Sequence, residues 1–122
     1  MSRSILLQLA RESIQEVFEA QRTIDKKTLL SMHPLLNEPI KTTVNIYLED
    51  KLRGSWSSED KSLLESIIYN AKKSAFEDKN FTPISTSEYL SCELEILLIT
   101  PDGVMSEKDK SILKTHKFEQ IL

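Results

Sequence analysis

Leu52-Arg53-Gly54-Ser55-Trp56 concentrates chemistry in a few residues. An arginine presents a planar fork of N–H donors that matches a carboxylate or a phosphate. A glycine beside it lets a ligand come close to the backbone, and Trp56 offers a ring on which a planar group could stack. Asp78 closes a helical stretch, where the helix dipole disfavours an acid, so it calls for a cation. Arg53 is the natural partner. Two arrangements satisfy these facts. In one, Arg53, Gly54 and Asp78 floor a cleft that receives a ligand. In the other, Arg53 is paired to Asp78 or Glu12 for structural reasons, Gly54 makes a bulge, and Phe81 packs in the core. Ser55 is a weak nucleophile without a base, and the two histidines, His33 and His116, lie far from it in sequence. It reads as a strand hydroxyl, and Trp56 as a core or edge aromatic. An acid–base site would draw on Tyr47, Ser55 or a carboxylate around Arg53 and Asp78, and would need a concave pocket where they converge.

Other chemistries find few residues. His33 and His116 have no partner at helical spacing and no cysteine cluster, so no metal is expected. Cys92 is the only cysteine, which excludes an intramolecular disulfide; it opens an apolar strand and reads as a small buried hydrophobe in a reducing, cytoplasmic setting. Two glycines are too few for a dinucleotide fingerprint or a Walker A loop, and no cofactor is expected. The 122 residues hold 16 Lys and Arg against 19 Asp and Glu, a net charge of −3. General nucleic-acid binding needs a basic footprint, and none is visible. The longest apolar run, Ile96–Ile99, is far short of the ~20 residues that span a bilayer, so no membrane partner is expected. The start leads into an amphipathic helix rather than a signal-peptide core.

The elements that position these residues follow from periodicity. Leu6, Leu9, Ser13, Ile14, Val17 and Phe18 predict one face of a helix over 4–21, with Ser2 or Ser4 as cap and with Arg11, Glu12, Gln15, Glu16 and Glu19 turned outward. A helical turn is expected at Thr28–Met32. Val44, Ile46 and Leu48 alternate with Thr43, Asn45 and Tyr47, which predicts a strand that returns through Glu49-Asp50-Lys51 into Leu52–Trp56. Ser57-Ser58-Glu59-Asp60 predicts the cap of a helix from about Glu59 to Asp78, burying Leu64, Ile67, Ile68, Ala71 and Ala75. Ser85-Thr86-Ser87-Glu88 is a second capping box. Cys92–Thr100 predicts a central strand whose far end is covered on both faces. Pro101-Asp102-Gly103 is a turn. Ser106-x-x-Asp109 predicts a last short helix ending near Lys114, followed by an apolar tail of Phe118, Ile121 and Leu122. The fold class is α+β: a small antiparallel or mixed sheet packed with two main helices, in the order α-β-β-α-(α)-β-(α).

Read together, Leu9-Ala10-Arg11, Leu52-Arg53-Gly54, Asp78-Lys79-Asn80-Phe81-Thr82-Pro83, Glu88 with Leu90, and the strand closing on Ile99-Thr100-Pro101 form an ordered set. It resembles the AMMECR-type domain family, also called AmmeMemoRadiSam system protein A, over residues 5–103. That family carries Leu-Ala-Arg on a helix, Leu-Arg-Gly-Cys-Ile-Gly after an extended strand, Asp-x-Arg-Phe-x-Pro, Glu-Leu and a strand ending in Leu-Thr-Pro. Here Ser55-Trp56-Ser57 replaces Cys-Ile-Gly, so thiol chemistry at that position is not expected, and Asn80 replaces the arginine before Phe81. The family's later segment has no counterpart, so residues 1–122 are expected to form a single domain without it. The resemblance implies an α+β fold with a mixed or antiparallel sheet, and partnership with a Memo-type protein and a radical-SAM enzyme.

These readings combine into a non-catalytic binding or accessory module that uses Arg53, Gly54, Ser55, Trp56 and Asp78. One alternative is an enzyme component of a small-molecule or macromolecule modification pathway. Another is a structural protein that binds a protein partner or a second copy of itself through a sheet edge or the C-terminal tail.

Overall fold

The computed structural model describes residues 4–112. Helix α1 spans Ile5–Glu19; the Ser4 hydroxyl accepts from Leu7 N–H and donates to Glu107, tying the helix start to the far end of the chain. A short helix α2 (Lys26–Met32), capped by Asp25, and a 3-10 turn over Pro34–Asn37 lead to the hairpin of β1 (Lys41–Leu48) and β2 (Lys51–Ser58). Its tight turn holds Glu49 and Asp50 at φ 52° and 65°, a shape that Asn-Gly favours and that forms here without it. The register slips after Ile46: Ile46 faces Gly54 and Tyr47 faces Leu52, so Arg53 is the extra residue of a bulge.

Helix α3 is Leu63–Phe76, capped by Ser62, and not the longer helix expected from Ser57 and Ser58. Those two serines extend β2 opposite Thr43 and Thr42, because the ladder supplies backbone partners there. Helix α4 (Thr86–Ser91) starts on the expected capping box of Ser85 and Glu88. Strands β3 (Glu93–Thr100) and β4 (Gly103–Lys108) follow, joined at Pro101-Asp102, with Gly103 at φ 135°. The last helix expected from Ser106 is thus strand β4 instead. Pairing with β3 satisfies alternate backbone groups there, and the Asp109 carboxylate meets Arg11 and Leu94 N–H. The expected end at Lys114 and the tail of Phe118, Ile121 and Leu122 lie outside the described residues.

Among the described residues, four α-helices and one four-stranded antiparallel sheet, ordered β2-β1-β3-β4, make an α+β fold. The two long helices α1 and α3 pack on the sheet face that carries Val44, Ile46, Leu94, Ile96 and Leu98. Ile14, Leu64, Ile67 and Ala71 complete the core from the helix side. Because both long helices choose that face, the far end of β3 is buried on one side only: Leu97 and Ile99 are half-buried. The inward face of α1 is also rotated from expectation. Val17 is 45% exposed, while Arg11 and Glu16 are buried. Glu16 accepts from Thr23 N–H (2.7 Å), Ile24 N–H (2.9 Å) and Lys72 Nζ (3.0 Å), which closes the chain behind the helix. Burial works against its charge, but these bonds hold its carboxyl below the ordinary range.

Candidate functional site

Gly54 sits where β2 crosses α3, and a Cβ built on it would lie 2.1 Å from the Ser74 carbonyl oxygen. The backbone that comes close to this glycine is the helix. Arg53, pushed out by the bulge, turns to the start of α4. Its Nε and Nη2 each reach a Glu88 oxygen at 3.1 Å, Nη2 also reaches Thr82 Oγ1 at 3.3 Å, and the guanidinium lies 5.7 Å from the Phe81 ring centre. The ion partner of Arg53 is therefore Glu88, not Asp78 or Glu12. Nη1 donates to none of the described residues.

Asp78 is occupied differently. Its carboxylate accepts Ser55 N–H on the outer edge of β2 and Asn80 N–H in the following loop, both at 2.9 Å. Ser55 Oγ points to the opposite sheet face and donates to Asn45 Oδ1 at 2.6 Å. Trp56 is half-buried beside α3, with Lys73 Nζ 5.7 Å from its ring centre. Arg53, Gly54, Ser55 and Trp56 follow one another along β2, and Asp78 reaches that strand from the loop after α3, yet the side chains of Arg53, Asp78 and Ser55 make three separate sets of contacts.

Glu88 serves two roles at once: ligand of Arg53 and acceptor for Ser85 N–H in the capping box. The Arg53 bonds first, then the Ser85 bond, hold its carboxyl below the ordinary glutamate range. A carboxyl depressed on folding stabilises above its unfolded pKa and loses that contribution as pH falls through the folded one. The Glu88→Gln variant should therefore melt below the parent near neutrality, by an amount equivalent to about 1 kcal/mol for such a partly exposed pair. The gap should close as pH drops through the acidic range. Thermal melts of both proteins across that range check this, and a gap independent of pH contradicts it.

A second polar group lies on the sheet face away from the long helices. Glu95 Oε1 accepts from Asn45 Nδ2 (3.1 Å) and Tyr47 OH (3.0 Å), and Oε2 accepts from Ser106 Oγ (3.1 Å). Lys108 Nζ sits 4.5 Å from the Tyr47 ring centre, and Thr43 and Ser57 hydroxyls meet at 2.7 Å. Burial alone would raise the Glu95 carboxyl, but its three donors hold it below the ordinary value. Burial first, then the Glu95 charge, keep the Tyr47 phenol protonated to higher pH than usual. The alternation of β1 placed Asn45 and Tyr47 on this face in advance. Their meeting with Glu95, Ser106 and Lys108 needed the pairing of β1 with β3 and of β3 with β4. Glu88 was visible as a capping residue, but nothing local connected it with Arg53.

Cys92 is buried, and burial pushes its thiol up despite the nearby Arg11. Among the described residues, no three His, Cys, Asp or Glu gather to hold a metal ion, and no helix is long and apolar enough to cross a membrane.

The AMMECR1 family model matches residues 7–117. The chain belongs to the AMMECR1 family. The resemblance carried by the Leu-Ala-Arg and Leu-Arg-Gly blocks thus extends over most of the sequence. A solved structure of the uncharacterized protein PH0010 from Pyrococcus horikoshii is similar in fold, with a TM-score of 0.69 and 26% identity over 79% of this chain. The match covers 50% of that protein, so this AMMECR1 chain spans about half its length. Comparison with curated proteins gave no match.

Proposed function

We propose that this AMMECR1 protein is a binding or accessory module, not a catalyst, and that it takes a carboxylate or phosphate group at Arg53. One observation supports this reading most: Glu88 and Phe81 hold the guanidinium in a fixed orientation, while Nη1 has no acceptor among the described residues. A pre-oriented donor loses little freedom on binding. Because Glu88 balances the charge, recognition rests on the direction of a charge-assisted hydrogen bond more than on net attraction. Gly54, Ser55 and Trp56 follow Arg53 along β2, and Asp78 fixes that strand by accepting Ser55 N–H. The single buried Cys92 suits a cytoplasmic setting.

Thermal-shift titration of the full chain with inorganic phosphate, nucleotides and small dicarboxylates tests this. At least one should raise the melting temperature of the parent and leave Arg53→Ala unshifted, with circular dichroism confirming that the variant is folded. No shift in the parent, or an equal shift in the variant, would sink the proposal.

A second reading makes the protein an enzyme component of a modification pathway with Memo-type and radical-SAM partners. The cluster of Tyr47, Glu95 and Lys108 favours it, since a phenol, a carboxylate and an ammonium gathered on one sheet face bring acid–base groups together. Co-purification with such partners, lost in Tyr47→Phe, distinguishes it from the first.

A further inference from the structure

We propose that β4 is the seam of a symmetric dimer, in which the β4 strands of two copies pair antiparallel and join two sheets into one. Among the described residues, β4 is the last strand of the sheet and pairs with β3 alone. Asp109 N–H, just past its end, donates to Leu94 C=O. Bonded residues alternate along an antiparallel ladder. Gly103, Met105 and Glu107 therefore bond to β3, and Val104, Ser106 and Lys108 turn their N–H and C=O groups outward. The opposite edge is protected, because Asp78 takes Ser55 N–H on β2. On β4 no side chain among the described residues does the same. Val104 and Met105 are 63% and 61% exposed there, although sheet edges are ordinarily guarded by charge, bulge or proline. Beyond β4 the buried Asp109 pairs with Arg11, so the chain turns towards α1.

Charge selects a second copy as the occupant and sets its register. A two-fold pairing must place outward-bonding residues opposite one another. Centred on Met105, it sets Met105 against its own copy, Val104 against Ser106, and Asp102 against Lys108 at both ends of the seam. Two opposite-charge pairs then close the seam on the face that carries Val104. Centring on Ser106 instead would put Val104 against Lys108 and Met105 against Glu107, and the charge pairing is lost. The seam lies at the edge opposite Arg53 and does not depend on anion binding there.

Sedimentation of the full chain over a range of concentrations should show a monomer–dimer equilibrium. Ser106→Pro removes an outward N–H and the Ser106 Oγ bond to Glu95 while leaving the main-chain bonds to β3, and should be monomeric with an unchanged circular dichroism spectrum. Lys108→Asp should weaken association about tenfold, as two facing pairs turn repulsive. The double reversal Asp102→Lys with Lys108→Asp should restore it. A parent that stays monomeric at its highest soluble concentration overturns the proposal. So does a dimer indifferent to the charge reversals, a readout that holds even where Ser106→Pro fails to fold.

Discussion

Arg11→Met should destabilise this AMMECR1 domain by about 3–5 kcal/mol, the range for removing one partner of a buried ion pair. The Arg11 and Asp109 side chains are 5% and 4% exposed, and Nε meets the Asp109 carboxylate at 3.0 Å. The guanidinium does more than neutralise that acid. Nη2 also donates to the Cys92 carbonyl (2.8 Å) and the Lys110 carbonyl (3.3 Å), and Nη1 donates to the Tyr89 carbonyl (3.1 Å). One side chain of α1 thereby anchors the end of α4, the start of β3 and the exit of β4. Burial would depress its pKa, but the Asp109 hydrogen bond and the surrounding charges outweigh burial and hold it above the ordinary value. Methionine keeps the aliphatic volume but leaves the buried Asp109 carboxylate without its counter-ion and removes a donor from three carbonyls. Arg11→Lys should recover only part of the loss, because an ammonium is a point and cannot span the fork of acceptors. Urea unfolding of the three proteins measures this. A loss under about 1 kcal/mol for Arg11→Met, the scale of an exposed pair, would contradict the buried network.

Gly54→Ala should cost about 2–3 kcal/mol, at the upper end of overpacking a close-packed interior. The added methyl would stand 2.1 Å from the Ser74 oxygen and 3.0 Å from its carbonyl carbon, so α3 must move off β2. The cause is contact and not backbone conformation, since Gly103 is the glycine with positive φ. This separates two explanations experimentally. Ser74→Ala cannot rescue Gly54→Ala, because the obstacle is main chain. Gly103→Ala has open space around its Cβ, so its penalty should reflect φ alone, about 1 kcal/mol. Denaturant midpoints of the three variants decide the matter. A Gly54→Ala protein as stable as the parent would mean that β2 and α3 are farther apart than described.

These residues mark where sequence reasoning stopped. Hydrophobic alternation and helical spacing located α1, the hairpin, the buried stripe of α3, the capping box of α4 and the apolar run of β3. Each of those signals is local and repeated over several residues. The reading failed where two local signals competed. Ser57-Ser58 is a plausible cap and also a plausible strand end, and Ser106-x-x-Asp109 is a plausible cap within a plausible strand. In both places sheet pairing prevailed, because a neighbouring strand offered backbone partners that a cap motif cannot sense. Arg11 was read as a surface charge for a related reason: its partner Asp109 is distant in sequence and close only after β4 has folded back.

The sequence by itself determined the α+β class, the kinship with the AMMECR1 family and the placement of Arg53 and Gly54 on the returning strand of the hairpin, although that strand runs on to Ser58 and so holds them in its interior rather than at its end. It also placed Asn45 and Tyr47 on one face of β1. Period, capping chemistry and motif order are properties of the chain alone. Only the tertiary structure decided which charges meet: Arg53 with Glu88, Asp78 with a backbone amide, Arg11 with Asp109, and Glu95 with Tyr47. A long flexible side chain takes its partner from whatever surface packing brings within reach, and packing follows from the summed burial of the core rather than from neighbours in sequence.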